Sequence, residues 1–446
     1  MLTKMRLKNF KSWEDTGEIR LAPLTGFFGT NSSGKTSLLQ ALLLLKQTVE
    51  SSDRKQVLST GVQGGGYVNL GTANEITFKD TTEMALSVEW EFAESVAVKS
   101  ERSDSPTDLN KLKFSTEITA EPERIYVSQL TYSSDSVFET SLKRSGNNLY
   151  SIDVKVNGEL AKRPRGRPRV KMSPQKCYGF SDEALRYYEN TDYLNDIVLR
   201  FEQAFRNLYY LGPLRVYPER FYIWGGEAPG GVGLSGANVI SAYLSGKKVK
   251  VYPGKGARQT LQTRVAEWLV ELGLAHSFDV KPTPTSPGQY QVKLKLHANS
   301  HEALITDMGI GVSQILPVLV LCYYVPPGST IIFEQPELHL HPAVQAGLAD
   351  VFIDVVTRRN VQIILESHSE HLLRRIQRRI AEETLRTEDA EFYFCTNPGG
   401  SSEIASLDVD MFGNIKNWPR DFFGDLTGDM LEMMDLGLKR KIEGRQ

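Results

Sequence analysis

Cysteine is scarce. Only Cys177, Cys322 and Cys395 occur in 446 residues, and they lie too far apart for a CxxC metal pattern or a disulfide framework. This argues against a stapled extracellular scaffold and for a reducing, cytoplasmic setting. Neither charge sign is in excess: 52 Lys and Arg oppose 54 Asp and Glu, a formal net charge of -2. The whole-molecule field therefore does not favour nucleic acid, and any basic footprint must be local. Long apolar runs are also missing. The longest, "LLQALLLLK" (38–46) and "ILPVLVLCYYV" (315–325), are too short to cross a bilayer. The opening "MLTKMRLKNFKSW" has no apolar segment of signal-peptide length, so export and a membrane role are not expected. No internal repeat and no sustained heptad pattern is visible, which argues against a long coiled-coil arm.

What is present is a chain long enough for a large core, with 40% hydrophobic residues. Strand patterns at Lys4–Phe10, Glu18–Ala22 and Leu24–Phe28 lead into a Gly-rich turn and an apolar helix. From Thr81 to Gly158, alternating stretches such as "MALSVEWEF" and "RIYVSQLTY" predict antiparallel β structure. A basic stretch, "KRPRGRPRVK" (162–171), is followed by an amphipathic helical region. The Gly-rich "WGGEAPGGVGLSGA" (224–237) opens a helical middle part, and from Tyr290 to about Ile380 strands and helices alternate as in a helix-covered parallel sheet. The expected fold is α/β, a P-loop ATPase head with a mixed sheet, a β-rich insertion and a helical lobe. Its expected units are 1–80 (N-terminal ATPase lobe), 81–205 (β-rich insertion with a basic arm), 206–289 (helical middle lobe) and 290–446 (C-terminal ATPase lobe).

"GTNSSGKT", Gly29 to Thr36, satisfies G-x-x-x-x-G-K-[ST] between a strand and a helix. Backbone N–H groups of Gly29, Asn31, Ser32, Ser33, Gly34 and Ser37 are candidates to cradle phosphates. Lys35 supplies charge, and the Thr36 hydroxyl is a candidate Mg²⁺ ligand. ATP and Mg²⁺ are the expected cofactors. Hydrolysis also needs a carboxylate at the tip of a neighbouring apolar strand, and "STIIFE" offers Glu334 as the metal-side group. The next residue is Gln335, which can orient water but cannot accept a proton at neutral pH. Glu337, in the same turn, could swing its carboxylate into the site. "VQIILESHSEHLL" presents His368 just past another strand end, where it could contact the γ-phosphate. The spacing of His339 and His341 could mimic metal ligation, but no further ligand cluster is nearby.

Together these residues resemble the ABC-type ATPase heads of the SMC, RecF and OLD families. "LKNFKSW" resembles their opening strand. "DMGIGVSQILPVLVL" (307–321) resembles the signature segment, in which Gly311, Ser313 and Gln314 would meet ATP held by a second subunit. "FEQPELHLHP" resembles the Walker B and D-loop, and "ESHSEH" the switch histidine. The set is most similar to bacterial OLD-like AAA-type ATPases, with "GNIKNWPRDFFGD" (413–425) resembling a terminal segment of unknown function. It departs from the pattern at Gln335, and Gln63 and Gln129 compete as the Q-loop glutamine. The resemblance implies a homodimer or higher oligomer held through ATP. It also implies a separate effector protein, a nuclease, in bacterial anti-phage defence. Too few residues follow His368 for a TOPRIM domain, so no nuclease of its own is expected. An ATP-holding scaffold without turnover and a RecF-like DNA-repair ATPase are the alternatives. "KRPRGRPRVK" resembles an AT-hook, with Arg163, Arg165, Arg167 and Arg169 as candidate minor-groove contacts. A solvated basic turn is the competing reading.

Overall fold

The computed structural model describes all residues except 62–65, 100–105, 122–123, 147–148, 161–171, 186–190, 253–258, 285, 420–431, 437 and 441–446. The four candidate DNA-contacting arginines, Gln63 and part of the 413–425 segment lie outside the described residues.

A six-stranded sheet forms the centre. Its order is Leu208–Leu211, Thr330–Glu334, Gln362–Glu366, Leu24–Gly29, Ala390–Thr396, Glu403–Ser406. The first five strands run parallel and the last is antiparallel. The three middle strands are buried at every residue. This is what continuous apolar runs such as "TIIFE" and "QIILE" produce when helices cover both faces of a parallel sheet. Five parallel strands leave their C-terminal ends on one edge, and Gly29, Glu334 and Glu366 all lie there.

A second, antiparallel sheet carries the alternating segments. It runs Glu159–Leu160, Tyr150–Val156, Phe138–Arg144, Arg124–Ser134, Thr107–Glu121, Glu83–Val98, Leu2–Phe10, Trp13–Asp15, with Ile19–Arg20 also on Leu2–Phe10. The expected boundary at residue 80 therefore falls between paired strands: Leu2–Phe10 is hydrogen-bonded to Glu83–Val98. The sheet's inner face packs on the amphipathic helix Tyr193–Arg206. Trp90, Phe114, Tyr132 and Tyr178 pack around Phe201 there. Likewise, Leu208–Leu211, expected in the middle lobe, is an edge strand of the central sheet.

The helices Leu261–Glu271, Ile310–Tyr324 and Pro342–Arg359 build the other side of the core with the small sheet around Gln289–Lys295. The helix Ile310–Tyr324 contains Pro317, whose rings of packing include Gly236. Among the described residues no helix is long and apolar enough to cross a membrane.

Candidate functional site

The turn after Leu24–Gly29 can close because its glycines take conformations that side chains rarely adopt. Gly29 has φ +135° and Gly34 φ +91°. A Cβ on Gly29 would overlap the Cys395 carbonyl of the neighbouring strand, and one on Gly34 would overlap Ser402. Helix Lys35–Glu50 starts directly after Gly34, so its unpaired N–H groups point into the loop. Other segments clasp the loop from outside. Trp13 Nε1 donates to the Gly34 carbonyl (3.1 Å), and Ser402 holds Ser12 through its backbone N–H (2.8 Å) and its hydroxyl (2.7 Å).

An open cavity of about 260 Å³ lies over this helix start. Asn31, Ser32, Ser33, Gly34, Lys35, Thr36, Ser37, Gln335 and His368 line it, as do Ser12 and Glu366. The local motif and two remote strand ends are thus brought to one place. Lys35 is buried, and its ammonium donates to the Gly29 (3.1 Å) and Thr30 (2.6 Å) carbonyls. Burial lowers its pKa, opposed by the nearby Glu366 carboxylate. His368 sits on the exposed rim, where partial desolvation and then the Lys35 charge push its pKa below the usual imidazole value.

Glu334 and Glu366 are direct neighbours across their paired strands. Their surroundings differ. Glu366 accepts the Thr36 hydroxyl (2.7 Å) inside the cavity, which Gln335 also lines. Glu334, the expected metal-side carboxylate, is buried and does not line the cavity. Burial first, and the Glu366 charge second, push its pKa up to about 7. Glu337 lies elsewhere than a swinging carboxylate would. It is buried, and its Oε1 accepts from Ser367 Oγ and the His368 N–H, both at 2.8 Å. Gln335 has φ +43°, and its N–H donates to the Glu366 carbonyl (2.9 Å), which aims its amide at the cavity.

Gly311, Ser313 and Gln314 do not line this cavity. Ser313 donates to the Ile310 carbonyl (2.7 Å) in the first turn of its helix. Arg215, a residue without an assigned role in the sequence, joins that helix to the Gln335 turn. Its buried guanidinium donates to the carbonyls of Gln314 (3.0 Å), Pro336 (3.3 Å) and Gln335 (3.4 Å). Desolvation lowers its pKa to about 10, against the opposing pull of Glu337. Gln129 bonds Thr131 within the antiparallel sheet and does not reach the cavity. His341 caps the helix that follows it, accepting from the Ala343 N–H (3.3 Å). Among the described residues, no group of three or more His, Cys, Asp or Glu is placed to hold a metal.

The largely parallel sheet and the P-loop cavity define the class: an α/β P-loop fold. Residues 24–374 match a family model described as "AAA domain, putative AbiEii toxin, Type IV TA system", and the chain belongs to that family of AAA-type ATPases. Residues 385–433 match a second model, described as "Protein of unknown function (DUF3696)". No curated protein matches significantly. Among solved structures, an Smc head bound to the C-terminal winged-helix domain of ScpA is 12% identical, with 92% of this chain and 98% of that chain covered, at a TM-score of 0.45. The SMC head domain from Thermotoga maritima is 12% identical, covering 92% and 99%, at 0.43. An Smc head with an extended coiled coil from Pyrococcus furiosus, bound to the C-terminal domain of ScpA, is 13% identical, covering 97% and 99%, at 0.44. Similarity of this order carries no functional weight.

Proposed function

We propose that the protein binds ATP with Mg²⁺ and hydrolyses it, pairs with a second copy through the nucleotide, and thereby regulates a separate effector protein. The observation that carries the ATP reading is the cavity itself. A complete phosphate loop, a helix N-terminus and the side chains of Lys35, Gln335 and His368 converge on one space large enough for a polyphosphate. Mg²⁺ fits the donors present, since the Thr36 hydroxyl and its carboxylate partner are hard oxygen ligands and the phosphates would complete the set. When bound, the ion would neutralise charge building on the phosphoryl oxygens. Lys35 would add charge, and Gln335 and His368 would orient water and the terminal phosphate.

The effector is proposed to be a nuclease in anti-phage defence. Support comes from the resemblance to OLD-like ATPases and from the toxin named in the family's description. One residue favours a second reading. Gln335, standing where a glutamate is expected, would suit a subunit that holds ATP without turning it over. Steady-state phosphate release with Mg²⁺ and ATP, with and without A·T-rich duplex, decides between them, with Lys35→Ala as the blank. Turnover above the blank is the expected result. ATP bound without turnover would make the protein a nucleotide-held scaffold.

A further inference from the structure

We propose that Glu366, at the end of strand Gln362–Glu366, is the metal-side carboxylate of the nucleotide cavity, and that Glu334 is not. The inference rests on the reading that the cavity takes a metal-bound nucleoside triphosphate. One contact and the placement of the two carboxylates support it. The Thr36 hydroxyl, the only protein oxygen that a phosphate loop normally gives to the metal, donates to Glu366 Oε2 at 2.7 Å. Glu366 lines the cavity, whereas Glu334 does not. Glu334 is instead buried next to the edge strand Leu208–Leu211.

Strand order explains why the carboxylate sits there. Gln362–Glu366 lies between Leu24–Gly29 and Thr330–Glu334, so its end is one strand spacing nearer to the phosphate loop. Adjacent parallel strands are about 4.8 Å apart, which is roughly the reach of one glutamate side chain. A carboxylate on the middle strand can touch the Thr36 hydroxyl directly, and one on the strand beyond must reach past it.

The same geometry accounts for Gln335. Its N–H donates to the Glu366 carbonyl (2.9 Å), and its side chain lines the cavity together with Glu366. A glutamate at 335 would set a third carboxylate against Glu366 and Glu334 with no donor between them. A glutamine there adds no negative charge and still lines the cavity. Gln335 and Glu366 thus form one unit in which the acidic member has moved to the neighbouring strand.

The test is Mn²⁺ binding followed by electron paramagnetic resonance, using the full chain with a non-hydrolysable ATP analogue, so that no turnover is needed. Glu366→Gln is expected to weaken Mn²⁺ about 10- to 100-fold. Glu334→Gln should change it less than about threefold, and the far-UV circular dichroism of both variants should match the wild type, which reports on folding. Glu366→Asp, a shortened carboxylate, should fall between wild type and Glu366→Gln. Wild-type Mn²⁺ affinity in Glu366→Gln, or a larger loss in Glu334→Gln, would overturn the assignment. Failure of the wild type to bind the analogue at all would instead overturn the nucleotide reading on which it rests.

Discussion

At Glu337 a single carboxylate oxygen holds the turn that carries His368. Its Oε1 receives both the Ser367 hydroxyl and the His368 N–H, and the side chain lies almost wholly out of water. The buried Arg215 stands close enough to pull on its charge. Its work is therefore positional, fixing where the histidine enters the cavity. Replacing it by alanine would leave the buried Ser367 hydroxyl and the partly buried His368 N–H without this acceptor, the buried one alone costing about 1–3 kcal/mol. Glu337→Ala should lower the urea midpoint accordingly. Glu337→Gln, whose amide oxygen can still accept, should recover most of the loss. Equal stability of the wild type and the alanine variant would show that the turn is held by other contacts.

The elements that build the site are two strand ends and one strand-to-helix turn, and the turn tolerates the least change. Gly29 belongs to both the central sheet and the phosphate loop, with the Cys395 backbone against the place where a side chain would go. Gly29→Ala should cost more than the about 1–3 kcal/mol of an unfavourable φ alone, because the overlap with rigid backbone cannot be relieved by a rotamer change. Gly273→Ala, also at positive φ but with open space around it, should pay only the conformational part. Thermal unfolding of the two variants, alongside nucleotide binding, makes the comparison; similar losses would refute the packing argument. This turn was legible in the sequence because its residues, Gly29 to Thr36, are contiguous and their spacing is their mechanism. The alternating strands of 81–158 were legible for the same local reason. Glu366 was not, since its partner Thr36 is 330 residues away and "ESHSEH" drew attention to its histidine. Arg215 was hidden in an ordinary stretch, "LGPLRVY", because what distinguishes it is the set of carbonyls that tertiary packing gathers around it. The pairing of Leu2–Phe10 with Glu83–Val98 is equally non-local, and no spacing within 1–80 reveals it.

For the molecule as a whole, the phosphate cavity and the helix start at Gly311 are separate places, and Arg215 links that helix to the Gln335 turn. If the proposed pairing brings the Gly311 segment of one copy onto the cavity of another, two different defects should complement each other. Lys35→Ala disables the cavity. Gly311→Glu would place a negative charge against the incoming phosphates, and the fold has room for it: a Cβ on Gly311 meets only Leu274 at 3.8 Å, an ordinary contact. Each variant alone should release no phosphate above background. In a freely exchanging equimolar mixture half of the dimers would be mixed, and each of these would hold one intact site out of two. Activity should then return to about a quarter of the wild-type level. No recovery on mixing, with each variant still folded and Gly311→Glu still binding ATP, would mean that the cavity works without a second copy. Pairing would then have to be sought elsewhere on the surface, and regulation of an effector would have to act within the single chain.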